Sequence, residues 1–155
     1  MGLLIWIEAT GLAEWTRSST EGYPIMIASH AIGMAVMVGL ALALDLRLLG
    51  WFQGIPYAAL QRFLGIAWAG FALNTLSGFA LFAMQATSYI TNFVFLSKIG
   101  LVLLGTVTAA MLQTAVSRDS LGWGAAAPGN VKAIAVVSIV FWLGAIVTGR
   151  LIAYL

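Results

Sequence analysis

No cysteine occurs in the 155 residues. Disulfides, zinc–thiolate sites, iron–sulfur clusters and covalently attached c-type haem all need that side chain and are excluded. Charge is nearly as scarce: Asp, Glu, Lys and Arg make up 8% of the chain, whereas a soluble domain carries about a quarter. The net charge of +2 comes from scattered residues, and no Lys/Arg cluster is present to displace counterions from a nucleic acid. With one histidine, placed inside an apolar run, and neither Asp45 nor Asp119 near its depth, no nucleophile–base arrangement for hydrolysis is visible.

Apolar residues are abundant, at 62% of the chain, with mean hydropathy +1.03. Such a chain cannot cover its surface with polar groups, so hydrocarbon must be its solvent. Four apolar stretches, at about 25–49, 62–84, 93–116 and 131–155, are long enough for a hydrocarbon core that takes about 20 helical residues. No alternation of period two suggests a barrel. The expected fold is therefore an all-α integral membrane protein, a single four-transmembrane-helix bundle with a short N-terminal interfacial helix in residues 1–22. Tyr23, Trp51, Tyr57, Tyr89, Trp123 and Tyr154 fall at the boundaries, where amphipathic rings prefer the headgroup level. MGLLIWIEAT lacks a basic region and carries Glu8, unlike a cleaved signal peptide.

Arg47, Arg62, Arg118 and Lys132 belong to the connections after spans one and three, against Arg17, Lys98 and Arg150 on the other side. The positive-inside rule then places both termini outside the cytoplasm, in the inner (cytoplasmic) membrane of a bacterium.

His30, Lys98 and Arg150 each stand about five residues inside a span. In an antiparallel arrangement all three lie roughly 7–8 Å below the outer boundary. Ionisable groups in a span usually face the bundle interior or a cavity, and three potential cations at one level call for an anionic partner. Met26, His30, Met34 and Met37 share one stripe of span one; Gly70, Asn74 and Ser77 share one of span two, with Gly78 beside it. Small residues there let helices approach closely or leave room for a flat ligand. A b-type haem needs an axial ligand, an apolar slot and cations near its propionates. His30 would be the axial iron ligand, Lys98 and Arg150 would stand near the propionates, and Lys98 is a possible second ligand, with Met34, Asn74, Ser77 and Gly78 around it. An electron-transfer role between a quinone and another redox partner would suit such a protein, as would membrane oxidoreductase chemistry. Copper is the alternative, since thioethers and an imidazole favour Cu(I); a non-catalytic assembly or permeation subunit is a third reading. Glycines on several helix faces suit a homo-oligomer.

HAIGMAVMVGLALALDLRLLG at 30–50, LNTLSGFALFA at 73–83 and YITNFVFLSKIGL at 89–101 resemble an uncharacterised bacterial family of four-helix membrane proteins. That group is distantly similar to the copper-resistance D type and to the membrane-bound protoporphyrinogen oxidase type. The latter resemblance implies a haem associated with a histidine early in one span and a lysine in a later one, places that His30 and Lys98 occupy. Several histidines and the tryptophan-rich surroundings of that enzyme type are missing, so its activity is not implied. The DLRLLG run belongs to the closer family. Asp45 and Arg47 in it are expected at the cytoplasmic mouth of span one, capping the helix and fixing the connection.

Overall fold

The computed structural model describes residues 1–118 and 126–154. Trp123 and Asp119, expected in the third connection, and the final residue of span four lie outside the described residues. The order is α1 (Gly2–Glu8), α2 (Gly11–Ser18), α3 (Gly22–Leu48), α4 (Tyr57–Ala83), α5 (Ala86–Tyr89), α6 (Phe93–Arg118) and α7 (Gly129–Leu151), then a 3₁₀ turn at Ile152–Tyr154. No strand occurs among the described residues. The four long helices are apolar enough to cross a membrane, so the all-α membrane bundle stands.

The boundaries differ from the sequence reading at two places. α4 begins at Tyr57, five residues before 62, because Pro56 occupies its N-cap, where a missing N–H leaves no helical bond unmade. Gln61 and Arg62, which look like a flank by hydropathy, form its second turn. α7 stops at Leu151 and tightens into the 3₁₀ turn, so Arg150 stands in the last helical turn rather than five residues inside a span.

Packing follows from small residues. α3 pairs closely with α4, and α6 with α7; α3 also packs on α7, joining the two hairpins. A Cβ at Gly33 would stand 2.6 Å from the Gly70 carbonyl oxygen and the Asn74 nitrogen, so only glycine permits the α3–α4 crossing. On α7 the buried residues Val131, Ala135, Ser138, Trp142 and Ala145 recur every three or four positions, the seam of a left-handed helix pair. Trp142 lies across Gly105 of α6, where a Cβ would come within 3.0 Å of the indole. Two apolar clusters result, one around Met37, Val38, Ala41, Ala67 and Trp142, the other around Leu44, Leu48, Leu112 and Val131. Large apolar residues such as Phe63, Leu76, Leu103, Val107 and Val140 point outward and are exposed, as lipid-facing surfaces require.

The N-terminal segment forms two helices where one was expected. The Thr10 side chain caps α2. The Glu8 carboxylate accepts bonds from the Thr87 amide (2.8 Å) and hydroxyl (2.7 Å), and Arg17 donates to the Met84 carbonyl at 3.1 Å. Those bonds fasten the segment over the α4–α5 corner, at the end of the bundle where α3 begins and α7 ends.

Candidate functional site

Four helices converge at that terminal end. His30 on α3 faces α4, and its Nδ1 lies 2.9 Å from the Asn74 main-chain oxygen. A carbonyl only accepts, so the ring hydrogen resides on Nδ1 and Nε2 keeps its lone pair. The Asn74 side chain donates to the His30 carbonyl at 2.8 Å, tying the two helices twice at one level. The Ser77 hydroxyl donates to the Leu73 carbonyl at 2.6 Å and lies at the edge of the imidazole, 3.5 Å from Nδ1. Gly78 lies against the Cε1–Nδ1 edge of the ring: a Cβ there would be 2.9 Å from His30 Cε1. The space that the sequence assigns to a flat ligand at Gly78 therefore holds the histidine itself.

Lys98 of α6 completes the pair. Its Nζ lies 3.3 Å from His30 Nε2, and its stem runs past Gly149 of α7 in ordinary van der Waals contact with the place a side chain would take. The ammonium donates and the imidazole nitrogen accepts, the one arrangement the Nδ1 assignment permits.

Both groups line a cavity of about 420 Å³, within the range of small-molecule sites. Its walls include Tyr23, Met34, Gly78, Phe82, Tyr89 and Phe95, with Arg150 also in the lining, and no acidic side chain among the described residues. Phe82, Tyr89 and Phe95 stack on one another, with centroids 5.1–6.4 Å apart, and form a flat aromatic wall. Burial, and then the neighbouring Tyr23 phenol, push the Tyr89 hydroxyl above the usual tyrosine range.

The sequence-derived set is thus brought together in part. His30, Lys98, Asn74, Ser77 and Gly78 form one contact network, with Met34 in the same cavity wall. Arg150 shares the cavity lining with them but is exposed, in the last turn of α7, donating to the Tyr154 hydroxyl at 3.3 Å. Of the thioethers, Met34 and Met37 line a smaller neighbouring cavity together with Asn74 and Lys98, whereas Met26 is absent from both linings. The aromatic wall was missed. Its signal was spacing, since Phe82 falls four residues after Gly78 and Phe95 three before Lys98, each one turn from a polar site residue.

At the opposite end, Arg47 does fix the connection. It is almost fully buried, donates from Nε to the Ile55 carbonyl at 2.7 Å and stacks over the Tyr57 ring at 4.3 Å. Asp45 does not cap the helix end. It is 1% exposed, because its position on α3 turns it toward the other three helices.

No family model matches the chain, and neither the curated proteins nor the solved structures gave a match.

Proposed function

We propose that the chain is a b-type haem-binding protein of a bacterial cytoplasmic membrane, with the haem in the cavity beneath the terminal face. One observation carries the reading: a histidine in the cavity lining whose Nδ1–H is spent on a main-chain carbonyl, with Lys98 at its Nε2. Metal-ligating histidines are commonly oriented by that kind of outer bond. Two further features support it. The lining holds two cations and no acid, which suits propionates, and the stacked Phe82–Phe95–Tyr89 wall suits a macrocycle. The distant resemblance to the protoporphyrinogen oxidase type points to His30 and Lys98 as well.

In this reading His30 ligates iron through Nε2. Lys98, which meets Nε2 at 3.3 Å, would move off that nitrogen to serve as second ligand or as counter-charge to a propionate, and Arg150 would reach a propionate from the rim. Bound haem would supply one-electron chemistry, fitting exchange between a quinone and a redox partner on the terminal side. Asn74, Ser77 and Gly78 fix the imidazole plane. The proposal includes the positive-inside orientation, termini outward, and a homo-oligomer: Gly39 and Gly65 have no neighbour within 4 Å of where a Cβ would stand, leaving small-residue surface for a second copy.

The test is the spectrum of the purified protein, oxidised and reduced. A Soret band that His30→Ala removes and Lys98→Met shifts or weakens is expected. Colourless protein that takes up no added haemin, or a band untouched by His30→Ala, overturns the assignment.

A further inference from the structure

Away from the haem cavity, a second polar site lies within the membrane-spanning part of the bundle. The Asp45 carboxyl borders a cavity of about 20 Å³ between α3, α4 and α6, lined also by Trp68 and Gln113; a volume of that order accepts one water-sized occupant. Asp45 Oδ2 has no hydrogen-bond partner. Ser138 neighbours the carboxyl from α7, outside the cavity lining, and its Oγ makes no hydrogen bond of full geometry; Trp142 Nε1, one turn along the same helix, is also unpartnered. Buried polar groups are nearly always satisfied, so an unpartnered carboxyl oxygen beside a cavity, with an unpartnered hydroxyl next to it, marks a place with room for an additional partner.

Among the described residues the charge has no internal answer. Arg47, two residues on, turns its guanidinium to the Ile55 and Gln53 carbonyls and to Tyr57. The single ion pair among the described residues is Arg17–Glu14. Arg62 of α4 and Arg118 of α6 are exposed, and neither they, nor Tyr57, nor Lys132 of α7 lines the cavity. An unpaired carboxylate inside a membrane protein is strongly disfavoured.

We infer that Asp45 is the binding station for a small monovalent cation, a proton or a sodium ion, which the Ser138 hydroxyl and the Gln113 side-chain oxygen help to hold. One carboxylate matches one positive charge, whereas a divalent ion would leave a net charge in an apolar core. The oxygens are hard donors suited to an alkali ion, and Gln113 Oε1, which accepts from Trp68 at 3.0 Å, retains a lone pair. Met37 borders both this cavity and the next one toward Lys98, so its side chain separates the station from the terminal-face site. The inference stands on Asp45 and its neighbours and does not depend on haem.

The experiment treats the full-length protein, in liposomes, with a hydrophobic carbodiimide, which modifies protonated carboxyls in apolar surroundings, followed by peptide mass mapping. Modification of Asp45 that declines as pH rises is expected, with loss of that adduct in Asp45→Asn. Protection by sodium chloride but not choline chloride, weakened in Ser138→Ala, identifies sodium as an occupant; pH dependence without protection identifies the proton alone. An Asp45 that is never modified, or is modified regardless of both pH and sodium, overturns the inference. Thermal unfolding provides the second readout: a midpoint that responds to pH or sodium in the wild type and not in Asp45→Asn supports the station, and identical responses in the two proteins refute it.

Discussion

The imidazole of His30 turns its Cε1–Nδ1 edge to Gly78, so close that a Cβ would stand 2.9 Å from its Cε1 and 3.1 Å from its Nδ1. The contact fixes the ring plane and aims Nε2 at Lys98. Gly78→Ala must therefore turn the ring or push α3 from α4. The expected result is a loss of about 1–3 kcal/mol, in the range of overpacked cores, measured by thermal unfolding in detergent. A changed or weakened absorption band in protein loaded with haemin should accompany it.

Gly33→Ala tests the crossing itself. The new Cβ would meet main-chain atoms of Gly70 and Asn74 at 2.6 Å, and main chain cannot rotate aside. A destabilisation of at least about 1–3 kcal/mol is expected, together with disturbance of His30, since Asn74 holds it. Gly100→Ala is the control: nothing lies within 4 Å of its Cβ position. There the substitution should be neutral or stabilise by up to about 1 kcal/mol.

Arg47 holds the first connection through bonds that use the geometry of its guanidinium. Arg47→Lys cannot reach the Ile55 carbonyl and the Tyr57 hydroxyl as a fork does. Loss of a charge-assisted hydrogen bond predicts about 1.5–3 kcal/mol of destabilisation, with faster amide exchange or proteolysis at residues 50–56 as the local sign.

Glu8 gives the N-terminal segment a pH response. The Thr87 amide first, then its hydroxyl, hold the carboxylate below the usual range. A depressed folded-state value means that the stabilisation is complete above the ordinary glutamate range and fades as pH falls through the depressed value. Fluorescence of Trp6 should report undocking of α1 on acidification, and Glu8→Gln should flatten that transition.

The spans were legible because length and apolarity decide them with little reference to neighbours. His30 and Lys98 were legible as a pair because α3 and α6, the first and third spans, run in the same direction and carry them a similar distance from their starts. Rotation about each helix axis was not legible. Hydropathy on α3 is nearly uniform around the helix, so nothing in the sequence says that Asp45 points inward and Arg47 toward the connection. The Gly78 position was correctly picked out as space, but sequence spacing does not distinguish room for a ligand from room for a neighbouring ring. The end of the fourth span was set too late by apolar residues after α7, which extend the hydropathy signal but not the α-helix.

The pairing of helices has a consequence for how the protein matures. His30 belongs to the α3–α4 hairpin and Lys98 to the α6–α7 hairpin, and each hairpin has its own internal packing. The pair at 3.3 Å exists only after the two have docked, largely through α3 on α7. A hairpin that has entered the bilayer alone presents half of the site and none of its chemistry. Competence at the terminal face thus doubles as a record that assembly is complete.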